Sequence, residues 1–179
     1  MTAPVATVLN PGSFDPIHLG HIDVIEQAVE LFGDVVVTVM HNHEKTGGLF
    51  GVDERVTLIE AAVAEAGLSD HVRVTAHVGL AIQAAMTAGA DFIVKGLRNA
   101  ADFEIEQQMA LTNHSASAIR TVYLPCRADR HYISSRFVRE IARYGGAVAH
   151  MVPGPVDAAL TRKYGSAPDA LTDTTPKTP

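Results

Sequence analysis

The sequence predicts an α/β fold, a doubly wound five-stranded parallel sheet in a single domain. Three observations carry this. Five short apolar runs rich in β-branched residues alternate with segments of helical periodicity. Glycine, proline or polar clusters punctuate the joins. At 179 residues the chain is long enough to bury a core without staples and too short to require a second one.

Val5-Ala6-Thr7-Val8-Leu9 has the composition of a buried strand, and Pro11-Gly12 and Asp15-Pro16 mark the loop after it. Ile22, Ile25, Val29 and Phe32 recur at helical spacing, with Gly33 as the stop. Asp34 to Met40, centred on Val35-Val36-Val37-Thr38-Val39, is the second strand. A polar, glycine-rich loop from His41 to Val52 carries Lys45. Asp53 offers an N-cap to a helix lined by Val56, Leu58, Ile59, Ala62 and Val63 and ending at Gly67. Val72 to Ala76 is a third strand and Leu80 to Ala88 a third helix. Asp91-Phe92-Ile93-Val94 forms a fourth strand leading into Lys95-Gly96-Leu97-Arg98. A helix over Asp102 to Asn113, a strand over Arg120 to Leu124 and a helix from Ile133 to Tyr144 follow. Periodicity weakens over Pro155 to Tyr164, and residues 165–179 read as a disordered tail after a domain spanning 1–164. Such alternation specifies right-handed crossovers covering both faces of the sheet. Its carboxyl edge then gathers four loops: Pro11 to His21, His41 to Val52, Lys95 to Asn99, and Pro125 to Ser135.

Charge narrows the function. The net charge of −6 and a pI near 5.8 argue against a general nucleic-acid binder, which needs a broad basic face. Positive charge is focused instead, with Lys95 and Arg98 in one short window and Arg127, Arg130, Arg136 and Arg139 in another. Mean hydropathy is +0.12, yet no apolar run approaches the ~18 residues of a membrane span, so no membrane partner is expected. A lone cysteine, Cys126, rules out an internal disulfide and favours the cytoplasm. No triad pattern surrounds it. His41 and His43 lack a third partner for zinc, so no protein metal site is expected.

The segment Pro-Gly-Ser-Phe-Asp-Pro-Ile-His-Leu-Gly-His, Pro11 to His21, joins the first strand to the first helix. Backbone N–H groups and the positive end of a helix favour an anion at such a junction. It is neither a Walker loop nor a dinucleotide fingerprint, and residues 1 to 44 contain no lysine or arginine. A phosphate there must be held by amides, Ser13 and imidazoles. Gly20 sits between His18 and His21, where a side chain would obstruct close approach.

Gly12-Ser13-Phe14-Asp15-Pro16 followed by His18-Leu19-Gly20-His21 resembles the His-x-Gly-His nucleotidyltransferases. Val94-Lys95-Gly96-Leu97-Arg98, with Asp102-Phe103-Glu104-x-Glu106 and Gln107-Gln108-Met109-Ala110, resembles the phosphopantetheine adenylyltransferases within that superfamily, and the likeness extends over Val5 to Leu160. Tyr132-Ile133-Ser134-Ser135-Arg136 resembles the third superfamily motif, a helix start that holds nucleotide phosphates. Three positions depart from the family pattern. His18 stands where a hydroxyl residue is usual, Lys95 where Arg is common, and Arg136 where a third Ser is common. On their own chemistry Lys95 supplies a point charge, Arg98 a planar fork and Glu106 an acceptor for ribose or adenine; ordinary surface ion pairing is the competing reading of all three. A plain N-cap competes for one of the two serines.

The resemblance implies a Rossmann-like sheet of the nucleotidyltransferase type, ATP and 4'-phosphopantetheine as substrates, and a homohexamer. It makes His21 the transition-state stabiliser. It places Ser13, Lys45 and Lys95 on the pantetheine phosphate, with Ala81 near the pantetheine arm. ATP would be surrounded by Ser13, Phe14, His21, Gly96, Leu97, Arg98, Glu106, Arg130, His131, Tyr132, Ile133, Ser134, Ser135 and Arg136. Phosphate neighbours are expected to raise the pKa of His21 and give an imidazolium near neutrality. Mg²⁺ is expected on the triphosphate, bound through its phosphates. His18 also motivates a nicotinate- or nicotinamide-mononucleotide adenylyltransferase, and a non-catalytic coenzyme A or nucleotide sensor is the reading from another class.

Overall fold

The structure, a computed structural model, describes residues 6–41 and 48–165. The expectations for Val5, Lys45, His43 and the tail beyond Gly165 lie outside them. Strands β1 (Ala6–Gly12), β2 (Gly33–His41), β3 (Val72–Val78), β4 (Phe92–Leu97) and β5 (Arg120–Pro125) form one parallel sheet in the order β3-β2-β1-β4-β5. Helices α1 (Leu19–Phe32), α2 (Val52–Glu65), α3 (Ala81–Ala88), α4 (Ala100–Ser117), α5 (Ser135–Arg143) and α6 (Gly154–Tyr164) complete the fold.

Period-2 alternation sorts the strand residues between two cores of unequal depth. Val8, Val35, Val37, Val39 and Val94 point into the larger one, where Ile25, Ile59, Ile133, Val156 and Leu160 meet them from α1, α2, the approach to α5, and α6. Their neighbours Leu9, Val36 and Ile93 point the other way, onto Ala84 and Ala85 of α3. Helix α4 lies on this thinner side and buries none of its residues.

Several element ends differ from expectation, for local reasons. Strand β1 continues through Pro11 and Gly12, which pair with Thr38 and Val39. On its other edge β1 pairs with β4 only at Val8 and Leu9, so Pro11 interrupts no ladder there. Strand β4 runs on through Lys95, Gly96 and Leu97, residues read as loop from sequence, because β5 pairs with it as far as Pro125. The N-cap of α2 is Gly51, not Asp53; Glu54 in the first turn accepts the Gly51 N–H at 2.7 Å. Helix α4 starts two residues early, with the Asn99 side chain accepting the Asp102 N–H at 2.9 Å.

The uneven pairing of β1 positions the functional cleft. Strands β1 and β4 part company after Leu9 and Ile93 while each runs on, which opens a cleft at the point where the strand order reverses. Asn10 spans the gap, its buried side-chain amide donating to the Val94 carbonyl at 3.0 Å.

Candidate active site

The cleft encloses about 410 Å³. Of the residues singled out in the sequence, it brings together Ser13, Phe14, His21, Lys95, Gly96, Arg98, Glu106, Ser134, Ser135 and Arg136. Leu97, Arg130, His131, Tyr132, Ile133 and Ala81 do not line it. Ile133 is fully buried behind it, Arg130 pairs with Asp129 at 3.2 Å, and His131 and Tyr132 lie on the surface. Ala81 opens α3 and packs on the thinner core.

The loop is shaped by its ring stacking. His18 is the N-cap of α1, and its backbone N–H donates to His21 Nδ1 at 3.2 Å. The two imidazoles stack with centroids 3.6 Å apart, and the Phe14 ring meets His21 edge-on at 5.0 Å. Phe14 adopts a left-handed backbone, φ 45°, that turns its ring over Gly12. A Cβ on Gly12 would come within 2.9 Å of that ring, so glycine is required there. A Cβ on Gly20 would sit 3.2 Å from the His18 ring.

Without phosphate beside it, His21 sits in surroundings that disfavour the imidazolium. Burial holds His21 well below the ordinary imidazole pKa, and electrostatic coupling to His18, Arg98 and Lys95 pushes in the same direction. His18 is lowered to about 3, again chiefly by burial and then by Arg98. Without a ligand both rings are neutral at pH 7. Because Nδ1 of His21 accepts a hydrogen bond, its proton resides on Nε2, the nitrogen left to donate to an anion in the cleft.

Two cations of the site, Lys95 and Arg98, are already engaged. Lys95 reaches Glu106 at 3.2 Å and the Pro11 carbonyl at 3.3 Å. Arg98 grips Asp102 in a fork, Nε to Oδ2 at 2.9 Å and Nη2 to Oδ1 at 3.1 Å, and donates through Nη1 to the Ile133 carbonyl at 3.2 Å. The ion-pairing reading of these residues is therefore correct as far as it goes, but the pairs line the cleft. Lys95 keeps one ammonium hydrogen and Arg98 two guanidinium hydrogens for a ligand. Asp102 and Glu106 hold both cations in place. Among the described residues no group of three or more His, Cys, Asp or Glu side chains is placed to hold a metal ion.

At the start of α5 the serine hydroxyls are also placed. Ser134 caps the helix, accepting the Phe137 N–H at 3.3 Å, and retains its own hydroxyl hydrogen. Ser135 donates to the Pro16 carbonyl at 2.9 Å, which ties the helix to the loop. Asp15 ties the loop to α2 and its approach: its carboxylate accepts the N–H groups of Leu49 and Phe50 at 2.8 and 2.9 Å and lies 3.5 Å from Arg55. Cys126 lines the cleft as a thiol whose pKa burial raises to about 11, so it is no nucleophile.

Sequence reading missed Asn10, Val24 and Asp102 among the lining residues. Two signals were present. Asn10 interrupts an apolar strand, and Asp102 stands four residues after Arg98 at a helix start.

Residues 9–141 match the model of the cytidylyltransferase-like family. Three relatives illustrate the closer kinship, each a phosphopantetheine adenylyltransferase. The Desulforudis audaxviator protein is 44% identical over 87% of this chain and 93% of its own length. The Synechococcus sp. (strain CC9902) protein is 42% identical over 89% and 96%, and that of Streptomyces coelicolor 43% over 86% and 94%. A solved structure assigned to the nicotinate-nucleotide adenylyltransferases, from Vibrio parahaemolyticus, shares the fold at a TM-score of 0.60 over 86% of this chain and 97% of its own, with 16% identity. With a cleft opened by the splay of two parallel strands and relatives matched along nearly their whole length, the chain belongs to the cytidylyltransferase-like nucleotidyltransferases and, within them, to the phosphopantetheine adenylyltransferase family.

Proposed function

We propose that this enzyme transfers AMP from ATP to 4'-phosphopantetheine, giving dephospho-coenzyme A and pyrophosphate. The observation that carries the reading is the convergence of His21, Lys95, Arg98 and the start of α5 on one cleft. An oxygen of the acceptor phosphate bonds to the α-phosphorus of ATP as the bond to the bridging α,β oxygen breaks, and pyrophosphate leaves with that electron pair. No protein nucleophile is needed. Catalysis consists of holding two polyanions in line and meeting the charge that grows between them.

Neutral His21 donates from Nε2 to the α-phosphate, a contact that strengthens as charge accumulates there. Ser13, Lys95 and Lys45 take the acceptor phosphate, with Ala81 toward the pantetheine arm. Arg98, Ser134 and Arg136 face the nucleotide phosphates, with Phe14, Gly96, Leu97 and the stretch Arg130 to Tyr132 around the rest of ATP and Ile133 buttressing them from behind. Glu106 serves ribose or adenine from its pair with Lys95. ATP enters as its magnesium complex, the metal riding on phosphates and water. We place the enzyme in the cytoplasm, on its single cysteine. Among the described residues no helix is long and apolar enough to cross a membrane. We also assign it a homohexamer, supported by the apolar side chains α4 leaves uncovered.

The test is pyrophosphate release with ATP or CTP across a panel of phosphate acceptors. Release with ATP and 4'-phosphopantetheine is expected. Turnover of nicotinate mononucleotide instead would favour the reading that His18 motivates, and no release with any acceptor would favour a sensor.

A further inference from the structure

Beside the cleft lies a groove of about 490 Å³ along α5. Arg136 lines both, so the two adjoin at that side chain. Arg139 and Arg143 line only the groove, which places three guanidiniums along one stripe of the helix. Arg139 is anchored by the Asp15 backbone carbonyl and stands 3.8 Å from the Asp15 carboxylate. Arg136 and Arg143 are exposed and form no ion pair among the described residues. Glu140 is the one carboxylate lining the groove among the described residues, and it too forms no ion pair among them. In a chain of net charge −6, this is a local excess of positive charge on the wall of the cleft.

We propose that this groove is a pyrophosphate site, the exit track for the leaving group; the inference rests on the adenylyl-transfer reading above. At about 1.5 Å of rise per residue, Arg139 lies about 4.5 Å and Arg143 about 10.5 Å farther along α5 than Arg136. While the triphosphate is intact its outer phosphates are tethered to the α-phosphorus, which limits how far along the stripe they can extend. Once the bond to the α-phosphorus breaks, pyrophosphate is free to move one helical turn at a time onto Arg139 and Arg143. Planar guanidinium forks suit phosphate oxygens in two-point contacts at each stage. Arg143 thus acts on the product and not on bound ATP.

Product inhibition separates these roles. Arg143→Ala, a change at an exposed position, is assayed by following dephospho-coenzyme A directly while inorganic pyrophosphate is added. The inhibition constant for pyrophosphate is expected to rise about tenfold, with KM for ATP and uninhibited kcat within about twofold, and Arg143→Lys to fall between. An unchanged inhibition constant overturns the proposal. A parallel rise in KM for ATP overturns it too, because Arg143 would then hold the nucleotide's tail. If the wild-type chain makes no dephospho-coenzyme A, the adenylyl-transfer reading fails. Calorimetric titration of inorganic pyrophosphate into wild type and Arg143→Ala then decides the groove alone, with equal affinities counting against it.

Discussion

A neutral His21 changes what its removal should do. An imidazolium would lose its charge on mild alkalinisation, but a ring already neutral has nothing to lose, so kcat/KM should not decline between pH 7 and 8.5 through this group. His21→Ala should lower kcat by about 10²-fold or more while the dissociation constant for ATP moves only a few-fold, the pattern of a donor that matters most in the transition state. Single-turnover rates with nucleotide-binding titrations check both, and a variant that binds ATP poorly but turns over normally would remove His21 from the chemistry. The same burial has a cost in stability. Below pH 6.5 the unfolded chain takes up protons that His18, lowered to about 3, and its stacked partner refuse, so stability falls as pH falls. For His18 alone this amounts to about 2 kcal/mol between pH 6.5 and 5. Urea denaturation of His18→Thr should therefore show a shallower loss between pH 7 and 5 than wild type, with His21 supplying the remainder. Equal slopes would mean that His18 is not buried neutral.

Element packing sets how closely the cleft walls approach. Gly96 on β4 lies so near α1 that a Cβ would come within 2.5 Å of Val24 Cγ2, and Val24 follows His21 by three residues on the same helix. Gly96→Ala should therefore displace α1, costing about 1–3 kcal/mol by overpacking and lowering activity with it. Thermal unfolding and turnover measured together check this; an unshifted Tm would mean that Val24 yields freely. This packing also shows what was legible beforehand. Runs such as Val35 to Val39 state a buried parallel strand plainly, because both faces of the sheet are covered and every position but Thr38 is apolar. The carboxyl ends were harder to read. Pro11 looks like a breaker, yet its strand continues where pairing with β4 has lapsed, and Lys95-Gly96-Leu97 looks like loop until β5 is seen beside it. Within the site, the residue types of the loop and of the α5 start were readable as anion chemistry. The grip of Asp102 and Glu106 on Arg98 and Lys95 was less so, since it depends on how α4 lies over the sheet.

On the scale of the whole molecule, the two faces of the sheet are finished differently. One carries four helical segments over a deep core; the other has α3 and α4 over a thin one. Helix α4 leaves Ile105 64%, Leu111 66% and Met109 47% exposed, and α3 adds Met86 at 69%. Scattered single apolar residues are ordinary, but several on adjoining helices above a thin core form the kind of surface that another copy covers. A second copy is the occupant that the family resemblance implies, and closed symmetry with this face at an interface would complete the core that α4 lacks within one chain. The proposed hexamer then predicts a solution mass about six times 19.0 kDa. Leu111→Glu puts a charge on that face without touching the cleft and should reduce the mass to smaller species, because an unpaired carboxylate buried at an apolar contact costs several times the contact it replaces. Light scattering coupled to size exclusion reads the mass, and circular dichroism checks that the fold survives. A wild-type chain that elutes at one copy's mass would refute the assembly. A folded Leu111→Glu hexamer would move the interface off this face.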